Sequence, residues 1–387
     1  MKEILLVSAF GDITDKKNSR FFKIYSALSA YNLKFITSDF DHRSKSRKDL
    51  VNLPQGTYIH VPPYKKSLSV QRFFSHIIFA AKLKLELKNI KIKPDVIYCS
   101  TPTSTSAYIC GRFCKKEGIK FIIDVIDLWP ESLYSISKFE KLFKIICYPW
   151  QKITEKAYGY ADVICAESKK YMQIAKAYNL NALSNYTYLG VDSKAIDELL
   201  RQSNIELDKP NDELWICYGG HLGNSYDFLS IIKSLVYIQN KNIKYKFFFV
   251  GDGEKRKQIE TFLSRYNLSV FITGVLPYCD YLKQISYCDI AINIFKENTR
   301  VIHSFKFNDY VAMNLFILNS LPGETADMIS MYKIGLNFNF SDNTLDKVLY
   351  EVCSNWNFYK EWRTNNAKLI SDVLDQGTVY KKMVGLF

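Results

Sequence analysis

The clearest chemical pattern in this sequence is a glycine-rich turn at positions 218–224, Tyr-Gly-Gly-His-Leu-Gly-Asn, between a predicted strand and a predicted helix. Glycines let a backbone approach a ligand closely, and the N-terminus of a following helix offers free N–H groups to a phosphate. We therefore take Gly220, His221, Gly223 and Asn224 as candidate phosphate contacts. Turns of this kind also form for purely geometric reasons, so the motif alone leaves both interpretations open.

A second pattern lies at positions 304–310, Ser-Phe-Lys-Phe-Asn-Asp-Tyr. Lys306 and Asp309 are three residues apart and would project from one side of a helix. A lysine can neutralise a diphosphate and a carboxylate can accept two hydrogen bonds from a ribose diol, so the pair suits a nucleoside diphosphate. The alternative is an ordinary surface ion pair.

The elements that must position these residues follow an α/β order. Short apolar strands alternate with amphipathic helices in both halves of the chain, which indicates two doubly wound, Rossmann-like domains with ligands at the carboxyl ends of the strands, in the cleft between the domains. The pattern weakens into a polar stretch at 201–212. We predict an N-terminal domain over 1–195, a C-terminal domain over 196–370, and a C-terminal helix in 371–387 that returns to the first domain.

Composition narrows the function classes. The chain has 387 residues and a net charge of +13, and residues 1–95 hold 18 Lys/Arg against 8 Asp/Glu. A basic half suggests an anionic partner, although a solvated basic face is the alternative. No basic recognition helix or aromatic RNA-binding motif is present, so we expect no nucleic acid partner. The nine scattered cysteines are typical of a reducing compartment, and no signal peptide is evident, so we expect a cytoplasmic protein.

One segment, 64–92, combines apolar and basic residues. An apolar stripe at helical spacing, with basic residues beside it, predicts an amphipathic helix; the stripe consists of Val70, Phe73, Phe74, Ile77, Ile78, Ala81 and Leu85. Such a helix can lie in an anionic membrane interface, and Tyr64 and Trp150 are typical of that position. It can equally pack its apolar face on the core.

The succession of motifs is more specific than any one of them. The turn at 218–223 is followed by Val-Gly-Asp-Gly at 250–253, Phe-Ile-Thr-Gly at 271–274, the Ser-x-Lys-x-x-Asp-Tyr segment, and Pro-Gly-Glu at 322–324. This order resembles the retaining GT-B glycosyltransferases of family four. Asp-Leu-Trp-Pro-Glu at 127–131 is similar to the branch that makes bacterial O-antigen and capsular polysaccharide.

The resemblance implies that the domain over 1–195 binds the acceptor and the domain over 196–370 binds the nucleotide sugar, and it implies a role for each candidate. Gly220 and Gly223 would hold the donor diphosphate together with Lys306, and Asp309 would bind the ribose. The nucleoside and the reacting sugar would be contacted by further residues: Gly253, Val275 and Ser304 on the donor side, and Asp127, with Glu131 as its alternative, from the N-terminal domain.

Two departures from the family pattern stand out. An acidic residue that would contact the donor sugar is replaced by Val301. The first loop, 9–19, has a single glycine where the family has two, and its basic residues Lys16 and Lys17, with Arg20, suggest a contact to an acceptor phosphate.

The implied reaction is transfer of a hexosyl group from a nucleotide sugar to a lipid-diphosphate-linked glycan on the inner face of the cytoplasmic membrane, with retention of configuration. Lys306 would stabilise the leaving diphosphate, so neither a metal nor a cofactor is expected. Two alternatives stay open: a sugar-nucleotide epimerase of the same fold, and a non-catalytic membrane-associated binding protein.

Overall fold

A computed structural model describes residues 1–15, 19–42, 44–66, 69–131, 140–297, 299 and 301–387. The chain divides into two compact units, which are described separately. Unit 1 consists of Met1–Leu189 with Gly377–Phe387, and unit 2 is Gly190–Gln376. The helix that precedes the polar stretch at 201–212 therefore belongs to unit 2.

Unit 1 is built on a parallel sheet with the strand order β5-β2-β1-β6-β7-β8-β9. These strands are β1 (Glu3–Ser8), β2 (Asn32–Ser38), β5 (Thr57–Ile59), β6 (Val96–Thr101), β7 (Lys120–Val125), β8 (Val163–Ala166) and β9 (Leu183–Tyr186). A short antiparallel pair, β3 (Phe40–Asp41) and β4 (Ser46–Arg47), lies outside this sheet. The helices are α1 (Arg20–Ala27), α2 (Val70–Lys88), α3 (Ser104–Glu117), α4 (Glu140–Gly159) and α5 (Lys169–Lys176).

Strand β1 shows why this sheet is covered on both faces. Leu5 and Val7 belong to one buried apolar cluster, whereas Ile4 and Leu6 belong to another. Successive side chains of a strand point to opposite faces, so a continuous apolar run requires packing on both sides. The second cluster includes Tyr380, Met383 and Phe387, which come from the end of the chain.

Unit 2 repeats the architecture with the strand order β12-β11-β10-β13-β14-β15. Its strands are β10 (Leu214–Gly219), β11 (Tyr245–Val250), β12 (Val270–Ile272), β13 (Ile290–Asn293), β14 (Phe316–Asn319) and β15 (Gly335–Asn337). Its main helices are α6 (Ser193–Gln202), α7 (Phe228–Asn240), α8 (Arg256–Leu263), α9 (Tyr278–Ser286), α10 (Phe305–Ala312), α11 (Glu324–Tyr332) and α12 (Leu345–Ser354).

Short helical segments complete the chain. They are α13 (Trp356–Tyr359), a 3-10 turn (Lys360–Asn365), α14 (Asn366–Leu369), a π-helical turn (Ile370–Leu374) and α15 (Gln376–Val384), with a further 3-10 turn (Leu50–Asn52) in unit 1.

Helix α2 presents the predicted apolar stripe to solvent, not to the core. Val70, Phe74 and Leu85 are more than half exposed. The buried face instead carries Phe79 and Leu83 together with polar residues at its N-terminal end. Two residues that suggested membrane contact are placed differently: Tyr64 is buried, and Trp150 packs on Phe73 with ring centroids 5.6 Å apart. Within the described residues, no helix has the length and apolar character needed to span a bilayer.

Candidate functional site

The glycine-rich turn lies at the topological switch point of the unit 2 sheet. Strand β10 is flanked by β11, which follows it in sequence, and by β13, reached by a longer crossover. The crevice at such a reversal, beyond the carboxyl ends of the strands, is where open α/β sheets bind ligands. Helix α10 follows β13 and brings Lys306 to the end of β10, where its Nζ lies 2.8 Å from the Tyr218 hydroxyl.

Lys306 is enclosed by aromatic rings. Its Nζ stands 3.7 Å from the ring centroid of Tyr226, 4.2 Å from that of Tyr218 and 5.2 Å from that of Phe295. Only 8% of the residue is exposed. Among the described residues no carboxylate lies within ion-pair distance of it, so the expected alternative of a surface ion pair with Asp309 does not describe this lysine.

Burial lowers the pKa of Lys306 well below its ordinary value of 10.5. Facing aromatic rings partly stabilise a cation, but they do not replace its hydration. An incoming anion would favour the protonated form of this lysine, so Lys306 is suited to bind a phosphate.

Gly220 lies directly beside Lys306. A Cβ atom on Gly220 would come no closer than 3.8 Å to Lys306 Cε, and the residue has a φ of 115°, which favours glycine. Its N–H donates to the Val250 carbonyl at 2.9 Å, which ties the turn to the end of β11. Across this contact, a Cβ on Gly251 would lie 2.0 Å from the Gly220 carbonyl oxygen. The two predicted motifs, 218–224 and 250–253, are thus joined by close backbone packing.

His221 and Asn224 are engaged by a residue that the sequence analysis missed. Glu254 Oε1 accepts from the Asn224 backbone N–H at 3.2 Å and from its side-chain amide at 3.0 Å. Its Oε2 is 2.8 Å from His221 Nε2. Glu254 directly follows the Val-Gly-Asp-Gly motif, which was the available signal. The Glu254 carboxylate therefore accepts hydrogen bonds from Asn224 that a bound anion could otherwise accept.

The helix that follows the glycine-rich turn is capped by a side chain of the protein. Helix α7 begins at Phe228, and the carboxylate of its N-cap residue, Asp227, already accepts from the Ser230 N–H at 3.3 Å. A capping carboxylate satisfies a free donor and opposes the positive end of the helix dipole. One N–H of this helix end is thus already satisfied within the protein, and diphosphate binding at Gly220 and Gly223 stays a prediction in which Lys306 supplies the positive charge.

Asp309 lies one turn along α10 from Lys306. Its Oδ1 accepts a hydrogen bond of 2.7 Å from the Tyr278 hydroxyl, and the carboxylate is partly exposed. The next residue, Tyr310, accepts from the Gly219 N–H through its hydroxyl at 2.8 Å. Helix α10 therefore contributes both a carboxylate for a polar ligand and a support for the turn.

The remaining donor-side candidates lie around this centre. Ser304 is the N-cap of α10 and is buried, with no side-chain capping bond in this described segment. The Gly253 N–H donates to Asp252 Oδ1 at 2.7 Å. Val275 is 81% exposed and Val301 partly buried. An exposed Val275 is available to a ligand.

In unit 1, the Asp-Leu-Trp-Pro-Glu segment follows β7. Asp127 accepts from the Leu128 N–H at 2.8 Å and from the Trp129 indole at 2.7 Å, which fixes its carboxylate. Glu131 accepts from Gln151 at 2.7 Å, and its pKa is raised, chiefly by burial. The two carboxylates are thus held by different neighbours, Asp127 within its own segment and Glu131 by α4.

The predicted contact of the first loop to an acceptor phosphate is only partly visible. Lys16 and Lys17 lie outside the described residues. Arg20 is buried and pairs with Asp124 at 2.7 Å and 2.9 Å, so it does not offer a free cation, and this part of the prediction is wrong. Nearby, burial raises the pKa of Glu167 to about 7 against the opposing effect of Arg20; the sequence analysis did not single out this residue.

Among the described residues, no group of three or more His, Cys, Asp or Glu side chains is arranged to hold a metal ion.

Comparisons with known proteins identify the fold. No protein-family model and no curated protein sequence matches the chain. Solved structures do match over its full length. A sucrose-phosphate synthase from Thermosynechococcus elongatus superimposes with a TM-score of 0.70 at 14% identity, covering 100% of this chain and 98% of that one. WaaG, a glycosyltransferase involved in lipopolysaccharide biosynthesis, gives 0.66 at 14% identity with 100% and 99% coverage. Anabaena HepE in complex with UDP-glucose gives 0.64 at 11% identity with 100% and 99% coverage. The predicted fold class, two Rossmann-like α/β domains of GT-B type, is confirmed.

Proposed function

We propose that the protein is a glycosyltransferase that uses a nucleotide-sugar donor. The observation that carries this proposal is the placement of Lys306 beside Gly220 at the switch point of the unit 2 sheet, with Asp309 on the same helix. The fold that this chain shares with HepE, which was crystallised in complex with UDP-glucose, supports the same donor class.

The chemistry of the site fits departure of a nucleoside diphosphate. Negative charge develops on the leaving phosphate, and a preorganised cation in a site of low polarity stabilises it. Lys306 supplies that cation, and Asp309 is suited to accept hydrogen bonds from the ribose. We assign Asp127 to the reacting sugar, with Glu131 as its alternative, and retention of anomeric configuration, on the resemblance of the motifs. No metal is assigned to the reaction.

We place the acceptor among lipid-diphosphate-linked glycans of bacterial surface polysaccharide, O-antigen or capsule. The Asp-Leu-Trp-Pro-Glu segment and the fold shared with WaaG, involved in lipopolysaccharide biosynthesis, support this assignment.

The test is a reaction of the purified protein with a panel of nucleotide sugars, with and without a synthetic lipid-diphosphate disaccharide. We expect nucleoside diphosphate release that depends on the acceptor, and a product whose new linkage keeps the donor's anomeric configuration by NMR. Conversion of the sugar without an acceptor would instead identify an epimerase, and no turnover with any donor would contradict the proposal.

We also propose contact with the inner face of the cytoplasmic membrane through unit 1. Exposed apolar side chains on the first halves of α2 and α4 form what we call the apolar lip: Val70, Phe73, Phe74, Ile77, Leu142, Ile145, Ile146 and Tyr148. Exposed apolar patches on soluble proteins mark interaction sites. Beside the lip, a groove between α2 and α3 is bordered by cationic side chains, including Lys84, Lys88 and Arg112. An apolar surface next to cations is suited to an anionic bilayer.

Sedimentation with vesicles tests this contact. We expect binding to vesicles that contain phosphatidylglycerol and weaker binding to neutral vesicles. The double variant Phe74→Ser/Ile145→Ser should bind less, whereas Leu180→Ser, which removes an equally exposed apolar residue elsewhere in unit 1, should bind as the native protein does. Equal binding by all three proteins would contradict the proposal.

A further inference from the structure

A groove in unit 1 joins an apolar floor to a polar end. It lies between α2 and α4 and has a volume of about 650 Å³, which is within the usual range for small-molecule sites. Its floor is formed by Phe73, Phe143, Ile146, Pro149 and Trp150. Its other end is formed by Arg72, His76 and Trp129. The groove therefore matches a ligand with one apolar and one polar part.

Arg72 gives the polar end a positive charge. It is 7% exposed, and its guanidinium carbon lies 4.2 Å from the ring centroid of Trp129 and 5.1 Å from that of Phe10. A guanidinium stacked on aromatic rings is less hydrated and keeps its edge donors in a fixed plane, which suits the oxygens of a phosphate.

A second cation lies close to the first. Lys45 Nζ is 5.3 Å from the ring centroid of Tyr64, and the Arg72 guanidinium is 5.9 Å from the same ring. The charge of Arg72 lowers the pKa of Lys45, after the larger effect of burial. Lys45 lies outside the lining of the groove and adds positive potential near Arg72, while Asp41 acts on Lys45, and Asp127 and Tyr64 act on Arg72, with the opposite sign.

His76 is an independent indication of a ligand. It is only 5% exposed, it lines the groove, and its Nε2 has no hydrogen-bond partner in the described residues. Burial, and then the charge of Arg72, lowers the pKa of His76 to about 3, so the ring is neutral. Buried polar atoms are nearly always paired in folded proteins, and an unpaired one requires an explanation. A ligand oxygen or hydroxyl at the end of the groove would provide the missing partner.

We propose that this groove binds the phosphate-proximal part of a lipid phosphate. Arg72 pairs with the phosphate, His76 forms a hydrogen bond to its oxygen, and the first part of the chain lies on Phe73, Ile146 and Trp150. The occupant is a single amphiphile and not a bilayer surface, because the cation is buried at the inner end of the groove. The apolar lip surrounds the groove and is the side from which a chain held in a membrane would enter. Binding of a lipid phosphate in the groove does not depend on the proposed function. The further claim that the groove is the acceptor site of the transferase rests on that function.

The test uses farnesyl phosphate, farnesol and inorganic phosphate as probes, with calorimetry and tryptophan fluorescence as readouts. We expect farnesyl phosphate to bind at least about tenfold more tightly than either of the others, because each lacks one half of the interaction. Quenching of Trp129 and Trp150 should accompany binding. Equal affinities for farnesol and farnesyl phosphate would overturn the role of Arg72 in phosphate binding.

Variants separate the two ends of the groove. Arg72→Gln should weaken farnesyl phosphate about tenfold or more and leave farnesol unchanged, and Arg72→Lys should restore part of the affinity. Because Arg72 is buried, a surface variant is needed as well: Phe73→Ser/Ile146→Ser should weaken both lipids, and Leu180→Ser should weaken neither. If Phe73→Ser/Ile146→Ser binds farnesyl phosphate as the native protein does, the groove is not the site.

A separate measurement distinguishes failure of the lipid-site proposal from failure of the proposed transferase function. UDP binding to the native protein, measured by thermal shift, reports on unit 2 alone. If farnesyl phosphate binds as expected while no nucleotide sugar is turned over, the lipid site stands and the transferase proposal fails. If transfer to the lipid-linked acceptor proceeds with the same KM in Phe73→Ser/Ile146→Ser as in the native protein, the transferase stands and the groove is excluded as its acceptor site.

Discussion

The two units each hold a buried cation against aromatic rings, Lys306 in unit 2 and Arg72 in unit 1. They are 8% and 7% exposed, and each has a ring centroid at about 4 Å from its charged atoms. Burial is the largest cause of a lowered pKa in both. Their surroundings differ: the glycine-rich turn adjoins Lys306, whereas an apolar groove adjoins Arg72, which also interacts with Tyr64 and Asp127. The cation selects an anion in each case, and the neighbouring surface selects what the anion is attached to.

A third buried cation clarifies the comparison. Arg20 is also buried, but it forms two hydrogen bonds with the Asp124 carboxylate. A buried charge whose partner belongs to the protein holds the fold together, and removal of either partner is costly. Lys306 has no such partner among the described side chains, which is why we assign it to ligand binding and not to stability.

The largest expected effect is that of Lys306→Met. Loss of one electrostatic group at a developing charge reduces kcat by about 10²–10³-fold. Because a buried lysine costs desolvation energy, the same variant should keep or raise the Tm. Lys246→Met is the matched control, since Lys246 also lies on aromatic rings, 5.0 Å from the Trp215 centroid, but at the opposite end of its strand. A fall in Tm with unchanged kcat in Lys306→Met would reverse the assignment.

A smaller effect is expected from Asp309→Asn. A lost hydrogen bond to a charged group is worth about 1.5–3 kcal/mol, so the Kd of UDP should rise roughly 10- to 100-fold. Tyr278→Phe, which removes the bond that the Tyr278 hydroxyl donates to Asp309 and keeps the carboxylate, should raise the Kd less. Calorimetry with UDP and with uridine measures the Kd of both variants. An unchanged Kd in Asp309→Asn would exclude a ribose contact.

The lowered pKa of Lys306 makes donor binding depend on pH. A bound diphosphate favours the charged lysine and raises its pKa, so UDP binding should take up protons between the lowered pKa and the ordinary value of 10.5. Affinity should therefore fall as pH rises through that window, by up to about tenfold per pH unit. Above about pH 8 the nucleotide itself contributes little to this proton uptake, because a terminal phosphate has a second pKa of about 6.

Calorimetry in two buffers of different ionisation enthalpy measures this uptake, and Lys306→Met should abolish it. The unfolded chain binds more protons than the folded one in the same window, so the free energy of unfolding should rise with pH there in the native protein. If Lys306→Met takes up as many protons on UDP binding as the native protein does, the uptake belongs to another group.

The smallest effect is expected from Glu254→Gln. Its carboxylate accepts from the turn that an anion would approach, so removal of the charge should tighten UDP binding about 2- to 5-fold, the size of an exposed ion-pair effect. Glu260→Gln is the control, because Glu260 is as exposed and pairs with Arg256 outside the turn. Weaker UDP binding in Glu254→Gln would mean that the carboxylate orders the turn instead of competing with the ligand.

The sequence by itself determined the features that depend on local spacing. Short continuous apolar runs predicted the parallel strands, and the three-residue interval between Lys306 and Asp309 placed both side chains on one side of a predicted helix. The glycine turn was placed correctly for the same reason, since Gly220 adopts a φ of 115° that its own residue type permits. Fold class and the composition of the candidate site follow from such short-range rules.

Only the tertiary structure decided which of these residues are buried and against what. The rings around Lys306 come from positions 218, 226 and 295, and no local rule brings them together. The apolar stripe of α2 faces outward because Phe79 and Leu83, on the opposite face, cover the sheet. Burial, hydration and pKa depend on neighbours from distant strands, so charge and spacing in the sequence could identify Lys306 but neither its environment nor the role of Arg72.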